Sequence, residues 1–375
     1  MAKDFHDEPF DAGTIKKLEI FRGYVREWLP VFLATNKGYN NVALYDFFAG
    51  PGKDAKGVKG SPLIIIDEVK RYLEDNTKPH AQGIKVSLYF NDDNKGKYIE
   101  LHEAVKIKEM SALFGVEVEN KDFGDAFKAK FPVMSTPHTA NLIILDQSGI
   151  KHVTEDVFKR LISCKATDIL FFTSSAIVKR FSGEQSIAGY FPGIPREKIK
   201  ELKAGDIHRF VCDYYRGLIP AGKEYYLAPF SIKKDANVYG VIFGTNSPRG
   251  LEKFLNVCWR LDPKTGEANY NIDGDPAWEG DTLFPKDNII QKKDDFQSNL
   301  IAEIKKGGKT NNDIYKYCLE NGFLPTHVND IFKKLQKEGK LQVLPETTRA
   351  GAFYINWDNY KTGTVKVKFA IIGGV

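Results

Sequence analysis

The residues best suited to chemistry are Asp46-Phe47-Phe48-Ala49-Gly50-Pro51-Gly52, directly after the apolar run from Val42 to Tyr45. Gly50 and Gly52 permit φ > 0 and let a ligand approach the backbone closely. A glycine turn at the carboxyl end of a first strand is where doubly wound sheets bind nucleotides. The spacing does not complete G-x-G-x-x-G, because Asp54 and Ala55 follow Lys53, and NAD is therefore disfavoured. The bend continues through Gly57 and Gly60 to Ser61-Pro62, where Ser61 is placed to cap a helix and Pro62 to open it. A pyrophosphate wants a helix N-terminus close behind its turn. A sulfonium nucleoside carries no phosphate, and a carboxylate such as Asp46 is favourable beside its cationic amino-acid portion.

Further polar groups follow later apolar runs. Asn91-Asp92-Asp93 closes a second one, and an acid there is placed to accept hydrogen bonds from a ribose diol; Asp92 is the first choice and Asn91 the second. Asp122, after a third run, could reach an adenine amino group. Asp146-Gln147-Ser148-Gly149 ends a fourth, and Asp146 there could accept a hydrogen bond from a target amine or orient a nucleophile. Capping of the next helix is the competing reading at Asp92, where the glycine bend favours binding, and an equal one at Asp146, while a lone loop acid such as Asp122 is usually solvated. Thr173, Ser174 and Ser175 are polar without an assigned role. The seven histidines are scattered without ligand spacing, so no metal site is expected, and neither a G-x-S-x-G elbow nor a P-loop appears.

What positions these groups is a βαβ rhythm. Leu18, Phe21, Val25, Trp28 and Phe32 predict an opening helix capped at Thr14. Short apolar runs then recur at Val42 to Tyr45, Val86 to Phe90, Val116 to Val118, Leu142 to Leu145 and Ile169 to Phe172, as in a parallel sheet covered on both faces. Residues 194 to 217 read as a helical lid over the sheet's C-terminal edge. Glu224 to Ile232 and Val238 to Thr245 read as an antiparallel hairpin, followed by a helix from Leu251 to Arg260. The expected fold class is thus α/β: a doubly wound, Rossmann-like sheet with an antiparallel edge hairpin, plus a small C-terminal winged helix-turn-helix domain. The divisions are 1–262, a Gly- and Pro-rich linker or loop over 263–293, and 294–375.

In the last part, Phe296 to Ile304, Asn312 to Glu320 and His327 to Glu338 predict three helices, with strands at Lys340 to Leu344 and Ala352 to Trp357 forming the wing. Thr326 would cap the third helix, whose inward side carries Val328, Ile331, Phe332 and Leu335. His327, Asn329, Lys333, Lys334 and Lys337 would face outward, able to enter a major groove with the lysines on phosphates. Lys340, Arg349, Lys366 and Lys368 could extend that surface. A solvated basic face, or a protein contact, is the competing reading.

Charge agrees with this division. Of 54 basic and 49 acidic residues, 12 and 7 lie within 296–375, so the first 295 residues balance at 42 each. The chain is 375 residues long, 42% hydrophobic and 27% charged, enough to bury full cores. Its four cysteines, at least 46 residues apart, imply no disulfide framework, and no run approaches bilayer length. With no signal-like stretch at the start, a reducing cytoplasm is expected.

The opening helix with Lys17, Leu18, Glu19, Tyr24 and Trp28, the turn from Asp46 to Gly52, and Gly60-Ser61-Pro62 together resemble the three-Cys-motif partner proteins. The hairpin, the helix with Trp259 and a terminal winged helix extend the resemblance over most of the chain. It implies a class I S-adenosylmethionine-dependent methyltransferase fold and a neighbouring partner resembling radical enzymes with a three-cysteine cluster. Carried over, the family's glycine turn falls on Asp46, Ala49, Gly50 and Gly52 and its second-strand acidic position on Asn91 or Asp92; with Phe48 and Asp122 these are the expected cofactor residues, and Asp146 is the expected catalytic position. The family's Asp-Pro-aromatic-Gly motif reads Asp146-Gln147-Ser148-Gly149 here, without the proline and aromatic that hold a flipped base in amino-methyltransferases. The implied function is a methyltransferase acting on nucleic acid or a nucleic-acid-associated substrate. The alternatives are a non-catalytic nucleic-acid-binding partner, linked to a mobile-element or defence system, and, more remotely, a nuclease-like activity.

Overall fold

Ala12–Leu33 (α1) is helical because its apolar residues recur on one face, and Leu18, Phe21, Tyr24, Val25 and Trp28 are all buried. The cap is Asp11, one turn earlier than Thr14: its Oδ1 accepts from the Thr14 amide at 2.8 Å. The computed structural model describes residues 9–34, 38–76, 83–107, 114–146, 152–175, 178, 196–234, 237–278, 290–345 and 351–372. Gln147, Ser148, Gly149, Arg349 and the first two residues of the expected lid lie outside them.

The strands are Asn41–Asp46 (β1), Lys85–Asn91 (β2), Gly115–Glu119 (β3), Thr139–Leu145 (β4), Ala166–Ser174 (β5), Tyr226–Lys234 (β6) and Asn237–Thr245 (β7). They form one sheet in the order β3-β2-β1-β4-β5-β7-β6. The first five are parallel, and β7 runs antiparallel to both β5 and β6. This is the expected doubly wound sheet with its antiparallel edge hairpin. Near-continuous apolar sequence made β1, β4 and β5 legible because they are buried on both faces; β3, at the edge, is not.

Helices Ser61–Asp75 (α2), Lys95–Ile107 (α3), Phe123–Met134 (α4), Glu155–Ser163 (α5), Arg196–Glu201 (α6), Ile207–Gly217 (α7) and Pro248–Leu261 (α8) complete this part. On one face, Ala43 and Tyr45 of β1 share a core with Phe123 and Phe127 of α4, Phe158 and Leu161 of α5, and Val211 and Tyr215 of α7. On the other, Tyr24 of α1 meets Phe243 of β7 and Phe254 of α8 edge-on. The expected lid is corrected here. Ile207, Val211, Cys212 and Tyr215 bury one side of α7 in the core, and that amphipathic pattern makes it a face-covering helix, not an edge cover.

The chain divides into two compact units, Met1–Val257 and Cys258–Val375, with the boundary inside α8. Residues 262–278, read as linker, are built structure. Asp262 accepts from the amides of Lys264, Thr265, Glu267 and Ala268, and Asp275 accepts from those of Ala277 and Gln291. The second unit continues through Gln291–Lys305 (α9), Asn311–Glu320 (α10), Pro325–Lys337 (α11), Leu341–Leu344 (β8), Trp357–Lys361 (α12) and Lys368–Ile371 (β9).

The wing pairs β8 with β9, not with residues 352–357. That segment looked strand-like because Phe353 and Ile355 point inward, but Tyr354 between them has φ of 55° and Asn356 caps α12, which ends extended pairing. Likewise Pro325 opens α11 one residue before Thr326, so Thr326 is not its cap. No helix among the described residues is long and apolar enough to cross a membrane.

Candidate functional site

The strand order reverses between β1 and β4, so the carboxyl ends of these strands open a crevice, the usual ligand position in doubly wound sheets. In register, Asp46 lies opposite Phe90 of β2 and Ile144 of β4. Asp46, Asn91, Asp92 and Asp146 therefore all stand at this one edge.

Asp46 is fully buried. Its Oδ1 accepts from the Phe48 amide at 3.1 Å, while Oδ2 has no hydrogen-bond partner. Burial pushes its carboxyl up to about 7; Asp146 nearby raises it further, while Ser61, the Phe48 amide and Lys17 pull it back. Ser61 lowers it from close by without a hydrogen bond of good geometry to Oδ2. The hydroxyl is free for this because Gly60, not Ser61, is the N-cap of α2. Gly60 donates to the Gly52 carbonyl at 2.7 Å, and a Cβ on Gly60 would sit 3.2 Å from that oxygen.

The bend is clamped from β2. Gly50, at φ 63°, donates to Asp92 Oδ2 at 2.9 Å, and Asp92 Oδ1 accepts from the Asn94 amide at 2.9 Å. A carboxylate offers about four lone-pair sites, so two remain for other donors. Asn91 is buried and committed internally: its side chain donates to the Phe47 and Lys121 carbonyls and accepts from the Lys121 amide. It holds the bend after β1 and the loop after β3 together. Gly52 has φ of 84°, and a Cβ there would lie 2.9 Å from Leu101.

Phe48, half-buried beside the bend, stacks on Phe123, with His152 against both rings. Asp122 is exposed and caps α4, its Oδ1 accepting from the Gly124 amide at 2.7 Å. Asp146 meets a residue that sequence reasoning did not single out for the site. Lys17 of α1 reaches Asp146 Oδ2 at 2.5 Å and sits 4.7 Å from the Phe172 ring centroid. Thr173 and Ser175 each bury a hydroxyl that lacks a hydrogen-bond partner. No group of three or more possible metal ligands occurs among the described residues.

In the second unit, Lys333, Lys334 and Lys337 are exposed on α11 as expected, and Asn329 is partly so. His327 differs. Its Nδ1 accepts from the Leu324 amide, and its ring packs on Trp259 and Phe323. Burial, with Lys293 next, lowers its pKa to about 4. Being the first-turn residue with a free acceptor, it closes the helix start that Thr326 was expected to cap.

Residues 269–348 match a family described as a GMT-like wHTH domain. No curated protein matches the chain by sequence. Among solved structures, the chain resembles P. horikoshii TYW2 in complex with MeSAdo, at 10% identity over 65% of this chain and 66% of that one, with a TM-score of 0.29. M. capricolum TrmK in complex with S-adenosyl-homocysteine gives 10% identity, 84% and 96% coverage, and a TM-score of 0.28. The Bacillus cereus O-methyltransferase in complex with SAH gives 11%, 63%, 91% and 0.32. At these identities and TM-scores the likenesses carry no argument about this chain.

Proposed function

We propose that the N-terminal unit binds S-adenosylmethionine in the bend after β1, and that the chain is a methyltransferase-type protein acting on nucleic acid or a nucleic-acid-associated substrate. The observation that carries this reading is Asp46: a fully buried carboxyl with one oxygen unpartnered, at the topological switch point. An ammonium group supplies the donors and the charge that this oxygen lacks. Asp92 keeps lone pairs for a ribose diol, while Phe48 and Asp122 are assigned to the adenine side.

When bound, the cofactor supplies an electrophilic methyl group, whose transfer depends mainly on alignment and exclusion of water. Few side chains are then needed for chemistry. Asp146, with Oδ2 held by Lys17, presents Oδ1 to an acceptor N–H or O–H. In the second unit, Lys333, Lys334 and Lys337 contact phosphates, which predicts a log–log salt slope of about −3.

Calorimetry with S-adenosylmethionine tests the reading: saturable binding, lost in Gly50→Val, is expected. No heat at millimolar ligand refutes it. The Lys17–Asp146 pair favours a second reading, since it fills the acceptor-side carboxylate with the protein's own cation. There the chain is a non-catalytic, nucleic-acid-binding partner of a three-Cys-motif radical-type protein, in a mobile-element or defence-linked system. Transfer of labelled methyl groups to total nucleic acid separates the two.

A further inference from the structure

Tyr354 is the one non-glycine residue among those described with a positive φ, at 55°. A bulky aromatic residue in that region is strained, and such strain persists only where the surroundings over-determine it. Here they do. The Tyr354 carbonyl accepts from Asn311 Nδ2 at 3.3 Å and from Asn359 Nδ2 at 3.0 Å. Asn311 is fully buried, and it also donates to the Thr364 carbonyl and accepts from the Lys366 and Val367 amides. One buried amide thus locks the Tyr354 turn against the segment leading into β9.

This rigid backbone holds an aromatic ring in water. Tyr354 is 40% exposed, and no other ring packs on it among the described residues. Val365, in the segment tied down by the same amide, is 52% exposed. Two lysines are close to the pair along the chain or in the fold: Lys366 follows Val365 and is exposed, and the Lys333 stem lies against Gly351, three residues before Tyr354, where a Cβ would be 3.9 Å from Lys333 Cγ. Lys333 of α11 therefore lies beside the segment that leads to the exposed ring, in the part of the chain that carries the whole net charge of +5.

We infer that Tyr354, with Lys333 and Lys366, forms a stacking platform for an unpaired base, so that the second unit takes single-stranded nucleic acid or a strand with bases out of the helix. An exposed ring on a segment with lysines nearby suits a base plane with its adjoining phosphates, the combination by which single strands are held. A regular duplex shows such a ring only the edges of its bases. The inference rests on the reading that this unit contacts nucleic acid, and it specifies which kind.

The test uses the full-length chain and a fluorescein-labelled oligonucleotide of about 12 nucleotides, single-stranded or annealed to its complement, read by anisotropy. The wild type is expected to prefer the single strand. Tyr354→Asn, a residue that tolerates the left-handed region, should lose about 5- to 150-fold in single-strand affinity without a lower melting temperature. Tyr354→Phe, which keeps the ring, should stay within about twofold. Wild-type single-strand affinity in Tyr354→Asn, or a preference for the duplex that ignores Tyr354, overturns the platform while the nucleic-acid reading stands. Binding of neither oligonucleotide overturns both and leaves the face to a protein partner.

Discussion

Replacing Asp46 by Asn should stabilise the protein above neutral pH while abolishing cofactor binding. The folded-state carboxyl titrates at about 7, against an ordinary value of 3.8. The folded chain therefore holds this proton more tightly than the unfolded chain does, and stability is lost as pH rises from the lower value through the higher. At about 1.36 kcal/mol per pH unit, the cost of the ionised Asp46 is about 0.6 kcal/mol at pH 4 and about 4 kcal/mol at pH 8. Asn mimics the neutral acid: its oxygen can accept from Phe48, its amide can face Ser61, and it does not titrate. At about 2–4 °C per kcal/mol, Asp46→Asn should melt about 8–15 °C above the wild type at pH 8 and within about 2 °C of it at pH 4. Scanning calorimetry from pH 4 to 8 measures this, with S-adenosylmethionine titrated into both proteins at pH 8. Parallel pH profiles would falsify the assignment of a strained, ligand-seeking acid, even if the ligand still bound.

Other substitutions probe the neighbours. Lys17 lowers the Asp46 pKa, so Lys17→Met should move the pH midpoint for cofactor binding upward, as followed by calorimetric affinity between pH 6 and 9; an unmoved midpoint would separate Lys17 from the site. Tyr24 donates to the buried Asp168 at 2.6 Å, and burial raises that carboxyl to about 6. Tyr24→Phe should cost about 1.5–3 kcal/mol at pH 8 and less at pH 5, where the acid is protonated, a difference that urea unfolding at both pH values resolves. Asn91→Ala leaves the Phe47 and Lys121 carbonyls and the Lys121 amide without their partner. About 2–4 kcal/mol of stability should go, and cofactor affinity with it, whereas unchanged binding would show that the bend holds its shape alone.

The sheet was legible because hydrophobic burial writes itself into sequence. Strands covered on both faces are continuous apolar runs, and the polar residues ending them had to fall at one edge. The site was legible by residue type but not by state. Nothing local marks Asp46 as lacking a partner, and Ser61 reads as a cap until the Gly60–Gly52 contact shifts the helix start by one residue. Lys17 lies 129 positions from Asp146, and helix periodicity places it only on a flank. The wing failed for a related reason. Alternating inward residues at Phe353 and Ile355 mimic a strand, and only the buried amide of Asn311, some forty positions away, reveals the turn between them.

The first helix sets much of the charge balance around the crevice. From α1, Lys17 meets Asp146, Tyr24 meets Asp168, and Arg26 makes a two-pronged contact with Glu68 of α2, both bonds at 2.7 Å. Helix α1 thereby supplies donors to three carboxylates of later elements, Glu68 also accepting from Arg71 of α2. Asp92 is answered by two backbone amides. Asp46 Oδ2 is the buried carboxylate oxygen at this edge that lacks a hydrogen-bond partner among the described residues, so the demand there is for a cationic or hydrogen-donating group. A pyrophosphate would bring more acceptors and more negative charge to a buried acid, which low-dielectric surroundings penalise strongly. An amino-acid ammonium meets the demand, and in doing so draws the Asp46 proton off near neutral pH. Affinity for a cationic ligand should therefore rise up to about tenfold per pH unit below 7 and level off above it, a dependence that a dinucleotide would not share.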